Sequence, residues 1–242
     1  MTNSEATVKG QDQEPVASYW HSLWFLGIVA VVVIMGYAAQ HRQVAGGGLT
    51  ESHAHVIPMY VSATVMNWLL VLFAWKGIRR RGGTFSSLIR GRWENGREIL
   101  RDLGIATLFW GVMLAAAWGM DRVLGPGHEK TLGILLPRTP LEVSVWFLTA
   151  ASAGFCEEFV FRGYVQRQLL ALSKSTLAAV AGQAVIFGLM HAYQGWSLVI
   201  QVSIVGMLFG ALAAWRKTLR VGMIAHGWHD FWAGWLGNAI LR

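Results

Sequence analysis

The chain has 242 residues, of which 54% are hydrophobic and only 14% charged, with 13 Trp and a single Cys. An ordinary soluble domain carries about a quarter charged residues, so this composition excludes a soluble globular enzyme, a disordered chain and a disulfide-stapled secreted module. The net charge of +7 would suggest nucleic acid in a soluble protein; in a membrane protein it marks basic loops on one side, and no nucleic-acid partner is expected.

Residues 1–15 are polar, mixed in charge and turn-prone, and read as a disordered cytoplasmic tail without a cleavable signal. Apolar stretches follow near 18–39, 56–75, 103–120, 141–161, 177–193, 197–215 and 221–241. Each approaches the roughly 20 residues that cross a bilayer of about 30 Å. The expected fold is therefore all-α, a polytopic transmembrane helix bundle of about seven spans, with six to eight in range. Residues 16–140 form its N-terminal helices, including a basic 76–101 segment, and 141–242 a second helix bundle.

Fifteen of the 20 Lys and Arg residues fall on one side by parity: Lys9, eight in 76–101, then Arg162, Arg167, Lys174, Arg216, Lys217 and Arg220. That split puts the N-terminus and the basic connections in the cytoplasm. Within 76–101, the part from Phe85 to Trp93 reads either as an interfacial helix whose Arg side chains reach headgroup phosphates or as a solvated loop.

A charge deep in a span costs at least ~2.5–3.5 kcal/mol, so it needs a reason to be there. Ten of the 13 acidic residues fall in tails, loops or span edges and are expected to keep to water. The other three are Glu157, Glu158 and Asp230. Glu158 and Arg162 are four apart, stack on one helix face and can neutralise each other. Glu157 projects about 100° away, lacks that partner, and is the candidate base. Phe187 and His191 share a face of the fifth span. In a hairpin turning near Ser173, His191 would reach the depth of Glu157, and the two could hold a water.

His226 and Asp230 open the last span at i, i+4. With Glu157 and His191 they could bind a divalent metal such as zinc, or equally supply donors to an oxyanion. His229 and His21 read as packing or interfacial residues. Gly206 and Gly210 form a small-xxx-small pattern that lets helices approach closely.

Together, Glu157-Glu158-x-x-x-Arg162, Phe187-x-x-x-His191 and His226-x-x-x-Asp230 resemble the CAAX-protease and bacteriocin-processing family of intramembrane endopeptidases, over roughly residues 141–242. The resemblance implies hydrolysis of a peptide bond in a protein or peptide substrate at the membrane, as in CAAX-type or precursor processing. It implies that Glu157 and His191 activate water, that Glu158, Arg162 and Phe187 support the site, and that His226 and residue 230 stabilise the oxyanion. The family commonly has Asn where this chain has Asp230, and an ionised Asp cannot donate. Asp230 would then be protonated, orient His226 or ligate a metal. No cofactor is favoured, although a zinc-dependent mechanism is compatible with the residues. The expected location is a bacterial inner membrane, with lipid as the surrounding partner. A non-catalytic scaffold or immunity protein, and less readily an ion or proton transporter, are the competing readings.

Overall fold

The computed structural model describes residues 14–45, 56–124 and 136–240; the proposed 1–13 part of the tail lies outside the described residues. Helices α1 (Tyr19–Ala45), α2 (Val56–Arg80), α3 (Phe85–Ile89) and α4 (Gly96–Leu124) precede α5 (Pro140–Glu157). A π-helical segment, Glu158–Val165, joins α5 to α6 (Gln166–Ser173), followed by α7 (Thr176–Leu189), a 3-10 turn (Ala192–Gln194), α8 (Trp196–Arg216) and α9 (Arg220–Ile240). No strand occurs among the described residues. The protein is an all-α, multi-pass membrane bundle.

Five segments are long and apolar enough to span: Tyr19–Ala38, Val56–Arg80, Gly96–Val123, Pro140–Ser173 and Trp196–Arg216. The remaining two expected spans fall short for different reasons. Thr176–Leu189 is apolar but has only 14 residues. The α9 helix is long enough, but His226, His229 and Asp230 lower its hydropathy. The α5–π–α6 rod of 34 residues extends about 50 Å at 1.5 Å per residue, well beyond a hydrocarbon core of about 30 Å.

Local sequence explains the helix starts. Thr139-Pro140-x-Glu142 is a capping box: the Thr139 hydroxyl accepts from Glu142 N–H, and the Glu142 carboxylate accepts from Thr139 N–H. Thr84 caps α3 in the same way with Ser87, and Ser175 caps α7.

The basic 76–101 segment is docked onto the bundle. Phe85 stacks on Trp75 at 4.1 Å and lies 4.9 Å from Phe159. The Thr218 hydroxyl donates to the Ile89 and Arg90 carbonyls, and the Arg167 guanidinium to those of Ser87 and Leu88. The expectation that ten acids keep to water is corrected here, because Asp102 and Glu142 are both buried. Asp102 accepts from Trp93 Nε1 at 2.9 Å and pairs with Arg216 at 3.0 Å and Arg220 at 3.4 Å. Those partners neutralise it, which is what burial of a charge requires. Glu142 is covered because its cap ties it to backbone N–H groups.

Likewise the polar Gln166–Gln168 run faces inward. Gln168 brackets Ala17 by accepting from its N–H and donating to its carbonyl, which anchors the chain just ahead of α1. Gln166 donates to Gly210 O at 3.0 Å.

Candidate active site

Two glycines bring α5 and α9 together. A Cβ at Gly154 would lie 2.5 Å from Gly227 N and 2.8 Å from Met223 O, so only hydrogen fits there. One turn along the same seam, a Cβ at Gly222 would lie 2.7 Å from Glu158 Oε2. This close approach sets His226 of α9 directly against the two glutamates.

All eight residues of the π segment are buried. Glu158 and Arg162, both fully buried, pair at 3.0 Å. The guanidinium also donates to Gly206 O at 3.2 Å and sits 4.5 Å over the Phe187 ring and 5.1 Å over that of Phe209. Gln183 of α7 donates to the same Gly206 carbonyl at 2.8 Å. Gly206 and Gly210 thus serve α8 twice over. They let it approach α7, where a Cβ at Gly206 would be 3.2 Å from Ala184 Cα, and they leave carbonyls open to Arg162, Gln166 and Gln183.

The His226 imidazole lies among three carboxylates. Its Nδ1 is 3.1 Å from Glu158 Oε1, while Nε2 is 3.6 Å from Glu157 Oε2 and 3.7 Å from Asp230 Oδ2. The Glu158 side chain is fully buried, whereas that of Glu157 is 16% exposed and that of Asp230 27%. The adjacent acids are therefore unlike: one is closed by Arg162 and the other is reachable.

The first helices also contribute. Asn67, on α2, donates from Nδ2 to Glu157 Oε1 at 3.1 Å. Sequence reasoning missed it, although an amide in the middle of an apolar span was the available signal. Trp146 Nε1 donates to the Asp230 backbone carbonyl at 2.9 Å and fixes that turn of α9.

Phe187 is buried at the end of α7, its ring centroid 5.0 Å from that of His191 and 6.2 Å from that of His226. The expected fifth span runs to 193, but α7 ends at Leu189, and His191 stands in the following turn with φ −98° and ψ 12°. The Phe187 carbonyl lies 2.9 Å from His191 Nδ1. A carbonyl only accepts, so Nδ1 carries a proton there, which leaves Nε2 as the nitrogen directed away from the backbone. The His191 ring is stacked 6.3 Å from Tyr193. No hydrogen bond or ion pair joins His191 to Glu157 among the described residues. The imidazole in contact with Glu157 is that of His226. His21 packs elsewhere, stacked on Phe73 at 4.3 Å with Nε2 3.0 Å from the Phe73 carbonyl.

Glu157, His191, His226 and Asp230 do not form a metal cage as they stand. Among the described residues no three His, Cys, Asp or Glu side chains are arranged to hold an ion. The His226 nitrogens are flanked by carboxylate oxygens on both edges.

No curated protein and no solved structure matches the chain. One family model does match, over residues 139–232, and is described as type II CAAX prenyl endopeptidase Rce1-like. That segment contains every motif residue from Glu157 to Asp230, and this part of the chain is similar to the CAAX-protease and bacteriocin-processing family of membrane proteases.

Proposed function

We propose that the protein is an intramembrane endopeptidase that hydrolyses a peptide bond of a lipidated or membrane-associated protein, with Glu157 as the base. The observation that carries this reading is the contrast between the two glutamates. Glu158 is fully buried against Arg162 at 3.0 Å, whereas Glu157 is partly exposed and held from two sides, by Asn67 and His226. A base must be both oriented and within reach of solvent or substrate.

In this mechanism a water between Glu157 and the Nε2 lone pair of His191 gives its proton to Glu157 as its oxygen attacks the scissile carbonyl carbon. The C=O π electrons move to oxygen, and the tetrahedral oxyanion takes hydrogen bonds from His226 Nε2–H. Collapse breaks the C–N bond, and Glu157 returns the proton to the departing amine. Asp230, 3.7 Å from His226 Nε2, orients that imidazole, a role open to a carboxylate where an amide would donate directly. An apolar groove of about 460 Å³ along the α5–α9 seam, walled by Phe147, Phe155, Trp228 and Phe231, offers room for the hydrocarbon part of a substrate. The charge split supports a cytoplasmic N-terminus, in a bacterial inner membrane.

The test is comparative terminal proteomics of membranes from a deletion strain and a strain carrying Glu157→Gln, both against wild type. New termini lost in both are expected, and they identify the substrate. Wild-type termini in the Glu157→Gln strain refute the assignment. With the purified enzyme, cleavage of a farnesylated CAAX-type peptide should survive a strong chelator; its loss, with recovery on adding zinc, would reverse the metal-free reading.

A further inference from the structure

The turn that ends α7 carries a second polar ring beside His191. Tyr193 lies in the 3-10 turn Ala192–Gln194, its ring stacked 6.3 Å from that of His191. The His191 ring is 5.0 Å from Phe187, and Phe187 is 6.2 Å from His226, so Tyr193 closes a row of rings that leads to the site. Its hydroxyl interacts electrostatically with the carboxylates of both Glu157 and Asp230. The turn is held from within by Gln194 N–H on His191 O at 2.9 Å and Gly195 N–H on Ala192 O at 3.1 Å. From outside, α1 braces it: a Cβ at Gly36 would lie 3.1 Å from Tyr193 Cβ. The stem of the side chain is therefore fixed, yet the residue is 45% exposed and can meet a substrate, as the buried Glu158 cannot.

The hydrogen bond at the phenol sets what it can do. Gln194 Nε2 donates to the Tyr193 oxygen. An amide nitrogen does not accept, so this contact uses a lone pair of the phenol and leaves its O–H to donate elsewhere. The site is short of such donors. Carboxylates flank His226 on both edges, Glu158 at Nδ1 and Glu157 with Asp230 at Nε2. An oxyanion forming there takes one hydrogen bond from His226 Nε2–H and otherwise meets negative charge. Asn67 Nδ2 is engaged by Glu157, Trp146 Nε1 by the Asp230 carbonyl, and an ionised Asp230 has no proton to give.

We infer that Tyr193 is a further catalytic residue, the second hydrogen-bond donor to the tetrahedral oxyanion. The inference rests on the proposed roles of Glu157 as base and His226 as first donor. When the water oxygen bonds to the carbonyl carbon, the C=O π electrons move to oxygen, and the phenol O–H strengthens its hydrogen bond to that oxygen without releasing its proton. On collapse the electrons return, the C–N bond breaks, Glu157 protonates the amine, and Tyr193 is left unchanged. A neutral donor suits a site with three carboxylates, because it stabilises developing charge without pairing permanently with any of them. Gln194 is a positioning residue: its N–H on the phenol oxygen orients the O–H and polarises it.

The experiment uses the full chain and measures kcat and KM on a farnesylated CAAX-type peptide, together with the thermal midpoint, for wild type, Tyr193→Phe and Glu157→Gln. Tyr193→Phe keeps the ring against Gly36 and His191 and removes only the hydroxyl. Its kcat should fall about a hundredfold, as for loss of one oxyanion donor, with KM and midpoint unchanged. A phosphonate analogue of the same peptide, whose anionic oxygen occupies the oxyanion position, should bind Tyr193→Phe more weakly by about the same factor. A purely structural tyrosine would not produce that parallel loss. Wild-type kcat in Tyr193→Phe would overturn the inference. So would a raised KM at unchanged kcat, which would assign the hydroxyl to substrate binding, or a lowered midpoint with unchanged affinity for the phosphonate. Gln194→Ala should lower kcat by about tenfold or less and add nothing in the Tyr193→Phe background; an additive loss would overturn its route through Tyr193. Activity in Glu157→Gln would overturn the base itself, whereas an active Tyr193→Phe beside an inactive Glu157→Gln would overturn Tyr193 alone.

Discussion

Glu158→Gln separates a structural acid from a chemical one. The glutamine keeps an oxygen that accepts from His226 Nδ1, now 3.1 Å from Glu158 Oε1, so the principal change is loss of the negative charge. Arg162, fully buried and 3.0 Å from that carboxylate, is then left as an uncompensated cation. Breaking a buried pair in this way costs about 3–5 kcal/mol. At about 2–4 °C per kcal/mol for a chain of this size, the midpoint should fall by roughly 6–20 °C. The readout is built in: Cys156 is the sole cysteine and is 1% exposed, so a thiol-reactive fluorogenic dye reports unfolding of the core beside the site. Adding Arg162→Met should restore much of the loss, since an apolar side chain replaces the stranded charge. The double variant forgoes the Gly206 hydrogen bond and the contacts with Phe187 and Phe209, so recovery is incomplete. A midpoint drop below about 2 °C for the single variant, or a double variant less stable than the single, would refute this account of the pair.

Asn67→Ala should lower kcat about tenfold or more with little change in KM or thermal midpoint, because it frees one Glu157 oxygen without opening the core; an unchanged kcat removes Asn67 from the site. Gly154→Ala should destabilise by about 1–3 kcal/mol in the same dye assay, since the new Cβ meets Gly227 N at 2.5 Å; unaltered stability would mean that the α5–α9 seam can relax. Asp102→Asn should cost about 1–3 kcal/mol, discounted because Arg216 and Arg220 are 19% and 12% exposed and gain some solvent screening. High salt should lessen the difference between Asp102→Asn and wild type, and a salt-independent difference would point to lost packing instead.

How much of this was legible in the sequence depended on whether a residue's partner was local. The Glu158–Arg162 pair was readable because four residues of helix bring the two together, and charges in an apolar run have to be explained. His226 and Asp230 were readable for the same reason. Asn67 was not: an amide is cheap enough in a span to need no partner, and its acceptor lies 90 residues away. Asp102 looked like a first-turn acid at the edge of a span, while one of its burying partners, Arg216, is 114 residues off. The placement of His191 on a continuing helix failed because no proline marks the stop. The helix already stops at Leu189, and Gly195, with φ of 104°, then turns the chain into α8.

The π segment shows how these non-local contacts decide the chemistry. Gly163 is the one weak helix former in Glu158–Val165, and what the segment packs against adds to its effect on the wider turn. Apolar side chains gain little from leaving lipid for a helix interface, so polar contacts and close packing must set register there. Arg162 donates to Gly206 O and Gln166 to Gly210 O, which are rungs four residues apart on both helical segments of the contact. Gln183 adds a second donor to Gly206 from α7. Each such rung is worth about 0.6–2 kcal/mol. Together they hold Arg162 toward α8, and Arg162 in turn holds Glu158 on the buried side. Glu157, one residue earlier and just outside the π segment, is left facing Asn67 and the open side of His226. The difference between the two glutamates is therefore imposed from α8, through two glycine carbonyls, and a change at Gly210, where a Cβ would meet Gln183, Gln166 and Val180, should disturb the site without touching any residue that faces it.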